Sequence, residues 1–96
     1  MHVISMKRLR EFWKLHPRAE GPLRAWHRVA RREEWESFAD VRAFFPHADQ
    51  VGKLTVFNIG GNKYRLIAAI HFNRGKVFVR HVLTHAQYDR GGWKEK

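Results

Sequence analysis

Four side chains in the second half of the chain have the types and spacing that phosphodiester chemistry requires. Lys63 and Arg65 lie on one predicted strand, and His85 and Tyr88 follow the last predicted strand. Cleaving RNA without a metal requires a base for the 2′-hydroxyl proton, cations that stabilise charge on the phosphorus, and an acid for the leaving 5′-oxygen. Together the four residues offer all three functions.

The predicted roles follow from side-chain chemistry. His85 can act as base or acid near neutrality, because an imidazole has a pKa of about 6.5. The Arg65 guanidinium can grip two phosphate oxygens in a fork, and Lys63 adds a second cation. Tyr88 can stack on a base or donate a proton, since a phenol has a pKa of about 10. We therefore predict these four residues as the catalytic set.

Structural interpretations of the same side chains remain open at this stage. His85 could cap the last turn, and Tyr88 could pack at the sheet edge. Arg65 could be solvated or pair with Asp89, and Lys63 could be a general RNA binder.

No metal or cofactor is predicted. His81 and His85 have an i, i+4 spacing, but they straddle a strand end, and no third histidine, cysteine or carboxylate is suitably placed for zinc. The Gly60-Gly61 pair could present backbone N–H groups to a phosphate, although a hairpin turn explains it more simply.

The charge of the chain points to a polyanionic partner. Its 96 residues carry 19 Lys and Arg against 9 Asp and Glu, a net charge of +10. Residues 1–50 hold ten basic and seven acidic side chains and residues 51–96 hold nine and two, so the positive field is concentrated in the second half. A solvated basic surface or an acidic protein partner is the alternative, and the arginines of the second predicted helix are interpreted as its solvated face.

Cysteine content and hydropathy indicate in which compartment the protein is expected. The absence of cysteine excludes disulfides, thiolate zinc sites and cysteine nucleophiles. No apolar run approaches the roughly 18 to 20 residues that span a bilayer, and Lys7 and Arg8 interrupt any signal-type segment. We expect one small domain, residues 1–96, in the cytoplasm and without a membrane contact.

The first half of the chain has helical periodicity. A short strand at His2–Ile4 precedes three predicted helices, over residues 6–16, from about 19 to 34, and over 38–45. Pro17 and Pro46 end the first and the third, and Ser37 with Asp40 resembles a capping box that opens the third. The Gly21-Pro22 pair leaves the second helix two possible starts, near Ala19 or after the pair itself.

From Lys53 the pattern changes to the twofold alternation of strands. Gly60-Gly61 supplies a hairpin turn between strands over 53–59 and 63–72, and Asn73-Arg74-Gly75 leads into a final strand over 76–83. One face of the middle strand is predicted to enter the core: Tyr64, Leu66, Ala68, Ile70 and Phe72. The opposite face is polar near the turn and apolar in its middle. In the last strand, the run Val77-Phe78-Val79 predicts a central position covered on both faces.

These elements predict an α+β domain. Three strands form an antiparallel meander that the N-terminal strand joins, and the helices pack on one face of this small sheet.

Three segments together resemble the HigB family of toxins. They are Val56–Ala68, Val77–Asp89, and Trp35 with Phe38–Arg42. The similarity spans nearly the whole chain, and the family belongs with the RelE-like mRNA interferases. The resemblance therefore implies a RelE-like fold, cleavage of mRNA, commonly on the translating ribosome, and neutralisation by a helix-turn-helix HigA-type antitoxin.

The resemblance also bears on single residues. Arg65, in the step Tyr64-Arg65-Leu66, resembles the arginine with which RelE-like toxins grip a phosphate, and Thr84–Asp89 resembles their C-terminal active-site segment. Gln87 stands where the family usually has Glu, and Gly21-Pro22 interrupts a helix that is usually continuous. RelE-like toxins reach one reaction with different residue sets, so the base is not assigned between His85 and Lys63.

The leading hypothesis is a metal-independent endoribonuclease toxin that inhibits translation and growth. Besides the catalytic candidates, the residues predicted to contact RNA are Lys53, Asn58, Asn62 and Arg80. The alternative is a non-catalytic basic module that binds RNA or DNA and leaves it intact.

Overall fold

The computed structural model describes residues 1–94, and residues 95 and 96 of the predicted domain lie outside the described range. Its helices and strands are, in chain order, β1 (His2–Ile4), α1 (Met6–Leu15), α2 (Glu20–Arg32), α3 (Phe38–Phe44), β2 (Asp49–Val51), β3 (Leu54–Ile59), β4 (Tyr64–His71), β5 (Lys76–Thr84) and α4 (His85–Arg90). Short 3₁₀ turns lie at Pro17–Ala19, Phe72–Arg74 and Gly92–Lys94. The predicted α+β class is confirmed.

Five strands form one sheet in the order β1-β5-β4-β3-β2. The meander from β3 to β5 is antiparallel, as predicted, and β2 extends it by one more antiparallel strand. β1, which joins the meander as predicted, pairs in parallel with the first residues of β5, so the sheet is mixed rather than antiparallel throughout. Strands joined by a short turn must pair in an antiparallel way. β1 and β5 are separated by three helices and three strands, so the chain between them allows either direction.

β2 was not predicted because it lacks the twofold apolar pattern. It is three residues long, and Asp49 and Gln50 are both exposed at the sheet edge. Only its pairing with β3, which places Val51 opposite Leu54, identifies it as a strand.

α1 and α2 cover one face of the sheet. Their buried side chains are Leu9, Phe12, Leu23, Trp26 and Ala30. α2 begins at Glu20, which confirms the earlier of the two predicted starts and corrects the predicted end from about Glu34 to Arg32. Pro22 is tolerated because it falls in the first turn, where a backbone N–H has no partner within the helix.

The predicted core face of β4 packs against this helical layer. Leu66 and Ala68 are completely buried, and the other three predicted residues, Tyr64, Ile70 and Phe72, are partly buried against the same core. The alternation along β4 was therefore assigned to the correct faces.

A second, smaller cluster covers the opposite face of the sheet. Its buried members are Val56, Ile67 and Trp93, and the partly buried Leu83 and Tyr88 pack against them. α4 and the turn after it bring Tyr88 and Trp93 to this position. The sequence pattern predicted no helix after the last strand, so α4 is an element that only the structure shows.

β5 is central, as predicted, because β1 and β4 flank it. Val77 and Val79 are buried, but Phe78 is partly exposed and Arg80 is exposed, so coverage on both faces is wrong for this part of the strand. The register with β4 shifts between Ile67 and Ala68, which leaves Arg80 without a partner in the ladder. Such a bulge bends the strand and redirects the side chain.

No helix within residues 1–94 combines the length and the apolar character that crossing a membrane requires.

Candidate active site

The four catalytic candidates lie at one end of the sheet, around the start of β4 and the start of α4. Tyr64 pairs with Thr84, so the β3–β4 turn lies beside the end of β5. The backbone N–H of His85 donates to the Lys63 carbonyl oxygen at 3.1 Å and joins the turn to the first residue of α4. Residues that are 22 positions apart along the chain are thereby held next to each other.

Arg65 is buried, with 8% of its surface exposed. Its Nη1 donates to the carbonyl oxygens of Tyr64 at 3.1 Å and Asn62 at 3.3 Å, and its Nη2 donates to Oδ1 of Asn62. The guanidinium carbon lies 5.2 Å from the centre of the Tyr88 ring. Because a buried charge must be hydrogen-bonded, Arg65 holds the turn that carries Lys63.

His85 pairs with a carboxylate on its own helix. Its Nδ1 lies 2.9 Å from Oδ2 of Asp89, one helical turn further on. The side chains are 44% and 60% exposed, so the pair is accessible from solvent. This contact fixes one nitrogen of the imidazole and leaves Nε2 for chemistry. It also replaces the predicted alternative in which Asp89 pairs with Arg65.

Tyr88 and Trp93 form a stacked pair on the sheet. Their ring centres are 5.0 Å apart with an angle of 13° between the planes, and Trp93 Nε1 donates to the Tyr88 carbonyl oxygen at 3.0 Å. The Tyr88 ring therefore contacts both Trp93 and Arg65, and its packing role is confirmed. Trp93 itself had no place in the elements predicted from the sequence.

The residues predicted to contact RNA fall into two groups. Asn58 faces Arg65 across the β3–β4 ladder, and Asn62 binds its guanidinium, so both belong with the catalytic candidates. Lys53 and Arg80 line a separate groove of about 740 Å³. Its other walls include Leu54, Ala69 and His71.

Sequence reasoning missed Asp89 and Trp93 as members of the site because it missed α4. The available signal was Thr84 followed three residues later by Gln87, the spacing of a capping box. Gln87 N–H donates to the Thr84 hydroxyl at 3.2 Å, and Thr84 N–H donates to Oε1 of Gln87 at 2.9 Å. With a helix starting at His85, the i, i+4 spacing of His85 and Asp89 would have predicted their contact.

Two further observations concern metal binding and the protonation of His81. Within the described part of the chain, no three His, Cys, Asp or Glu side chains come together to hold a metal ion. Burial lowers the pKa of His81 below its ordinary value, and the neighbouring Arg8 and Arg80 lower it further. His81 therefore favours the neutral form in the folded protein.

Comparison with known proteins places this geometry in a family. Residues 19–91 match the HigB toxin family, described as the RelE-like toxic component of a toxin-antitoxin system. The chain belongs to this family. The family match runs from the start of α2 through Gly91 and so includes all four catalytic candidates and Asp89.

Individual HigB proteins are similar over almost their whole length. The mRNA interferase HigB of Escherichia coli O6:H1 (strain CFT073) is 32% identical over 93 residues, which cover 94% of this chain and 90% of that protein. The mRNA interferase toxin HigB of Escherichia coli strain K12 is 32% identical over 92 residues, 93% of this chain and 88% of that protein. The mRNA interferase HigB of Shigella flexneri has the same identity and coverage.

The structure also shows the role of Gln87, at the position where the resemblance to the HigB family implies Glu. Its side chain accepts a hydrogen bond within the capping box of α4. Both Gln and Glu have the acceptor oxygen that this contact requires. The departure therefore preserves the start of the helix that carries His85.

Proposed function

We propose that this HigB-family chain is an endoribonuclease that cleaves mRNA and acts as the toxin of a toxin-antitoxin pair. The names of its relatives support the activity. The observation that carries the site assignment is the backbone hydrogen bond between the His85 N–H and the Lys63 carbonyl, because it places the residues that bear a cation and an imidazole next to each other at the sheet end. Arg65 donates to the carbonyl oxygen of Asn62 in the turn that carries Lys63, and it contacts the Tyr88 ring of α4.

The proposed reaction is transfer of the phosphate to the neighbouring 2′-oxygen. A base removes the 2′-hydroxyl proton, the new P–O2′ bond forms, the P–O5′ bond breaks, and an acid protonates the leaving 5′-oxygen. The products are a 2′,3′-cyclic phosphate and a 5′-hydroxyl end, and no metal is required. Negative charge builds on the phosphate oxygens, so fixed cations stabilise the transition state.

The residues divide these tasks according to their surroundings. The exposed Lys63 contacts the phosphate directly, and His85 exchanges protons through Nε2. Arg65 is buried next to the turn that carries Lys63, so its positive charge adds to the field at the phosphate and its hydrogen bonds hold that turn in place. Tyr88 orients the Arg65 guanidinium or protonates the leaving group. The RNA then continues across the sheet face, where Asn58 lies near the site and the groove with Lys53 and Arg80 accepts further nucleotides.

Asp89 is a positioning residue in this proposal. It accepts from Nδ1 of His85 and so selects the tautomer with Nε2 free. Loss of the hydrogen-bond partner of a metal-bound histidine costs about 10-fold to 100-fold, and by analogy Asp89→Asn should lower kcat by a similar factor, with KM nearly unchanged. Asp89→Glu keeps the carboxylate and should recover part of the activity, and an equal loss in Asp89→Asn and Asp89→Glu would contradict the positioning role.

The biological setting is proposed by analogy with the HigB family. The toxin acts in the cytoplasm on translating ribosomes, and a HigA-type helix-turn-helix antitoxin neutralises it. Brief expression should arrest growth, and co-expression of the adjacent gene should relieve the arrest. Mapping mRNA ends in the same cells, with free and translating mRNA compared in vitro, distinguishes ribosome-dependent from independent cleavage.

The decisive test measures cleavage of a defined mRNA by purified variants in two settings, as free mRNA in EDTA and as the same mRNA during translation on ribosomes. Lys63→Met and His85→Ala should each lower the rate by about 10² or more. His2→Ala is the matched control, because His2 is exposed on β1, beside the first residues of β5 rather than its end. Wild-type rates in both site variants would refute the assignment, and RNA that the wild-type protein binds but leaves intact both free and during translation would favour the non-catalytic binding module.

A further inference from the structure

The outer side of α2 carries an unusual concentration of positive charge. Four arginines at relative positions i, i+4, i+7 and i+8 share one side of the helix. They are Arg24, Arg28, Arg31 and Arg32, and all four are exposed. With His27 and, from α1, Met6, they line an open cleft of about 430 Å³, which we call the arginine cleft.

The positive charge of the arginine cleft is only partly neutralised. Arg24 Nε lies 2.8 Å from Glu20, and Arg32 Nε lies 3.3 Å from Glu33. Arg28 and Arg31 have no acidic partner within residues 1–94. Burial and the neighbouring Arg31 lower the pKa of His27, which agrees with a positive local field.

Helix stability alone does not explain this arrangement. Arg31 lies in the last turn, where a cation interacts favourably with the helix dipole. Arg24 and Arg28 lie earlier, and like charges four residues apart destabilise a helix. The stripe extends over about 12 Å of helix, since each residue adds about 1.5 Å. An anion of comparable length would relieve the repulsion.

The chemistry of the surface favours a nucleic acid over a protein as this anion. Protein interfaces have an apolar centre that is depleted in charge. The large apolar side chains exposed within residues 1–94 are Leu15 (80%) and Phe44 (46%), and neither lies on α2. Protein–nucleic acid interfaces are polar and strongly positive, and guanidinium groups bind phosphate in a bidentate way.

The arginine cleft and the candidate active site lie on opposite sides of the sheet. The inner side of α2 packs on the helix-covered face, where Trp26 contacts Phe57 with ring centres 5.4 Å apart. Arg65 and Tyr88 lie on the other face, beneath α4. We propose that the arginine cleft is a second RNA-binding site, which holds the phosphate backbone of structured RNA while the opposite face remains available for the strand to be cleaved. This proposal does not depend on which residues cleave RNA.

The test compares two double variants with the same change in net charge. Arg28→Gln/Arg31→Gln removes the unpaired arginines of the cleft, and Arg18→Gln/Arg42→Gln removes two exposed arginines elsewhere. The probe is a fluorescent RNA hairpin with 2′-O-methyl groups, which keeps its phosphates but lacks the nucleophile for cleavage. Anisotropy titrations between 50 and 300 mM KCl give Kd and its salt dependence. Thermal unfolding of each variant checks the fold.

The cleft variant should bind the hairpin at least about 10-fold more weakly at 100 mM KCl, with a salt slope smaller by about two, since each lost phosphate contact lowers the slope by about one. The control variant should change both quantities much less. Equal losses in the two variants would overturn the proposal in favour of general charge attraction. Polyglutamate is titrated in the same way as a model of an acidic protein. If the cleft variant loses more affinity for polyglutamate than for the hairpin, the proposal is overturned in favour of an acidic protein partner.

Cleavage of a short single-stranded RNA distinguishes this proposal from the proposed function. The cleft variant should cleave it at the wild-type rate, because the cleft lies away from Lys63 and His85. If neither the wild-type protein nor the variants cleave mRNA, free or during translation, but only the cleft variant loses hairpin binding, the proposed function fails and the RNA site stands.

Discussion

The burial of Arg65 leads to a prediction about stability as well as activity. Its guanidinium donates three hydrogen bonds, two to main-chain carbonyls and one to Asn62 Oδ1, and it contacts the Tyr88 ring. A hydrogen bond to a charged group contributes about 1.5 to 3 kcal/mol, and such contributions are not additive. Arg65→Ala should therefore lower the free energy of unfolding by about 2 to 4 kcal/mol, a substantial part of the 5 to 15 kcal/mol of a typical domain.

Urea unfolding followed by tryptophan fluorescence measures this loss, because Trp93 stacks on Tyr88 beside Arg65. The corresponding drop in Tm is about 10 to 25 °C for a domain of this size. Arg65→Lys should lower the stability less than Arg65→Ala because it keeps the charge. It should still be less stable than the wild type, because a lysine cannot donate to all three acceptors in the same geometry. Arg74→Ala is the control at an exposed arginine and should change stability by less than about 0.5 kcal/mol. An equally small effect of Arg65→Ala would refute the reasoning.

Three further predictions concern α4, the turn after it and the partly buried His81. Trp93→Ala should cost about 3 kcal/mol of stability in urea unfolding because it empties the small second core, and Trp93→Phe should recover much of it. Thr84→Ala should cost about 1 kcal/mol and reduce RNA cleavage by loosening the start of α4, whereas Thr84→Ser should preserve both. The pKa of His81 is lowered in the folded state, so the unfolded chain binds more protons as the pH falls through about 6.5, and stability declines there. His81→Gln should make the decline between pH 7 and 5 shallower, while His47→Gln at an exposed position should not.

Much of the fold could be predicted because periodicity and turn residues depend only on a few neighbouring positions in the sequence. The change from helical to twofold periodicity near Lys53 and the Gly60-Gly61 turn located the β3–β4 hairpin. Both glycines adopt positive φ angles, 62° and 70°, which side chains disfavour. The alternation along β4 then predicted which residues enter the main core.

The remaining features depended on contacts between distant segments. β1 pairs in parallel with β5, although three helices and three strands separate them along the chain, and no local pattern reports the direction of such a pairing. β2 is recognised only through its partner strand. α4 is short, and its packing of Tyr88 and Trp93 on the sheet decides where it lies.

The candidate site shows the same division. The sequence alone determined the chemical types, the charge of the second half and the nomination of Lys63, Arg65, His85 and Tyr88, because side-chain chemistry and strand alternation are local properties. Only the tertiary structure decided that Arg65 is buried and hydrogen-bonded to the turn, that Asp89 pairs with His85, and that Lys53 and Arg80 share another groove. The physical reason is that hydrogen bonding and burial depend on the neighbours that folding supplies, and those neighbours come from distant parts of the chain.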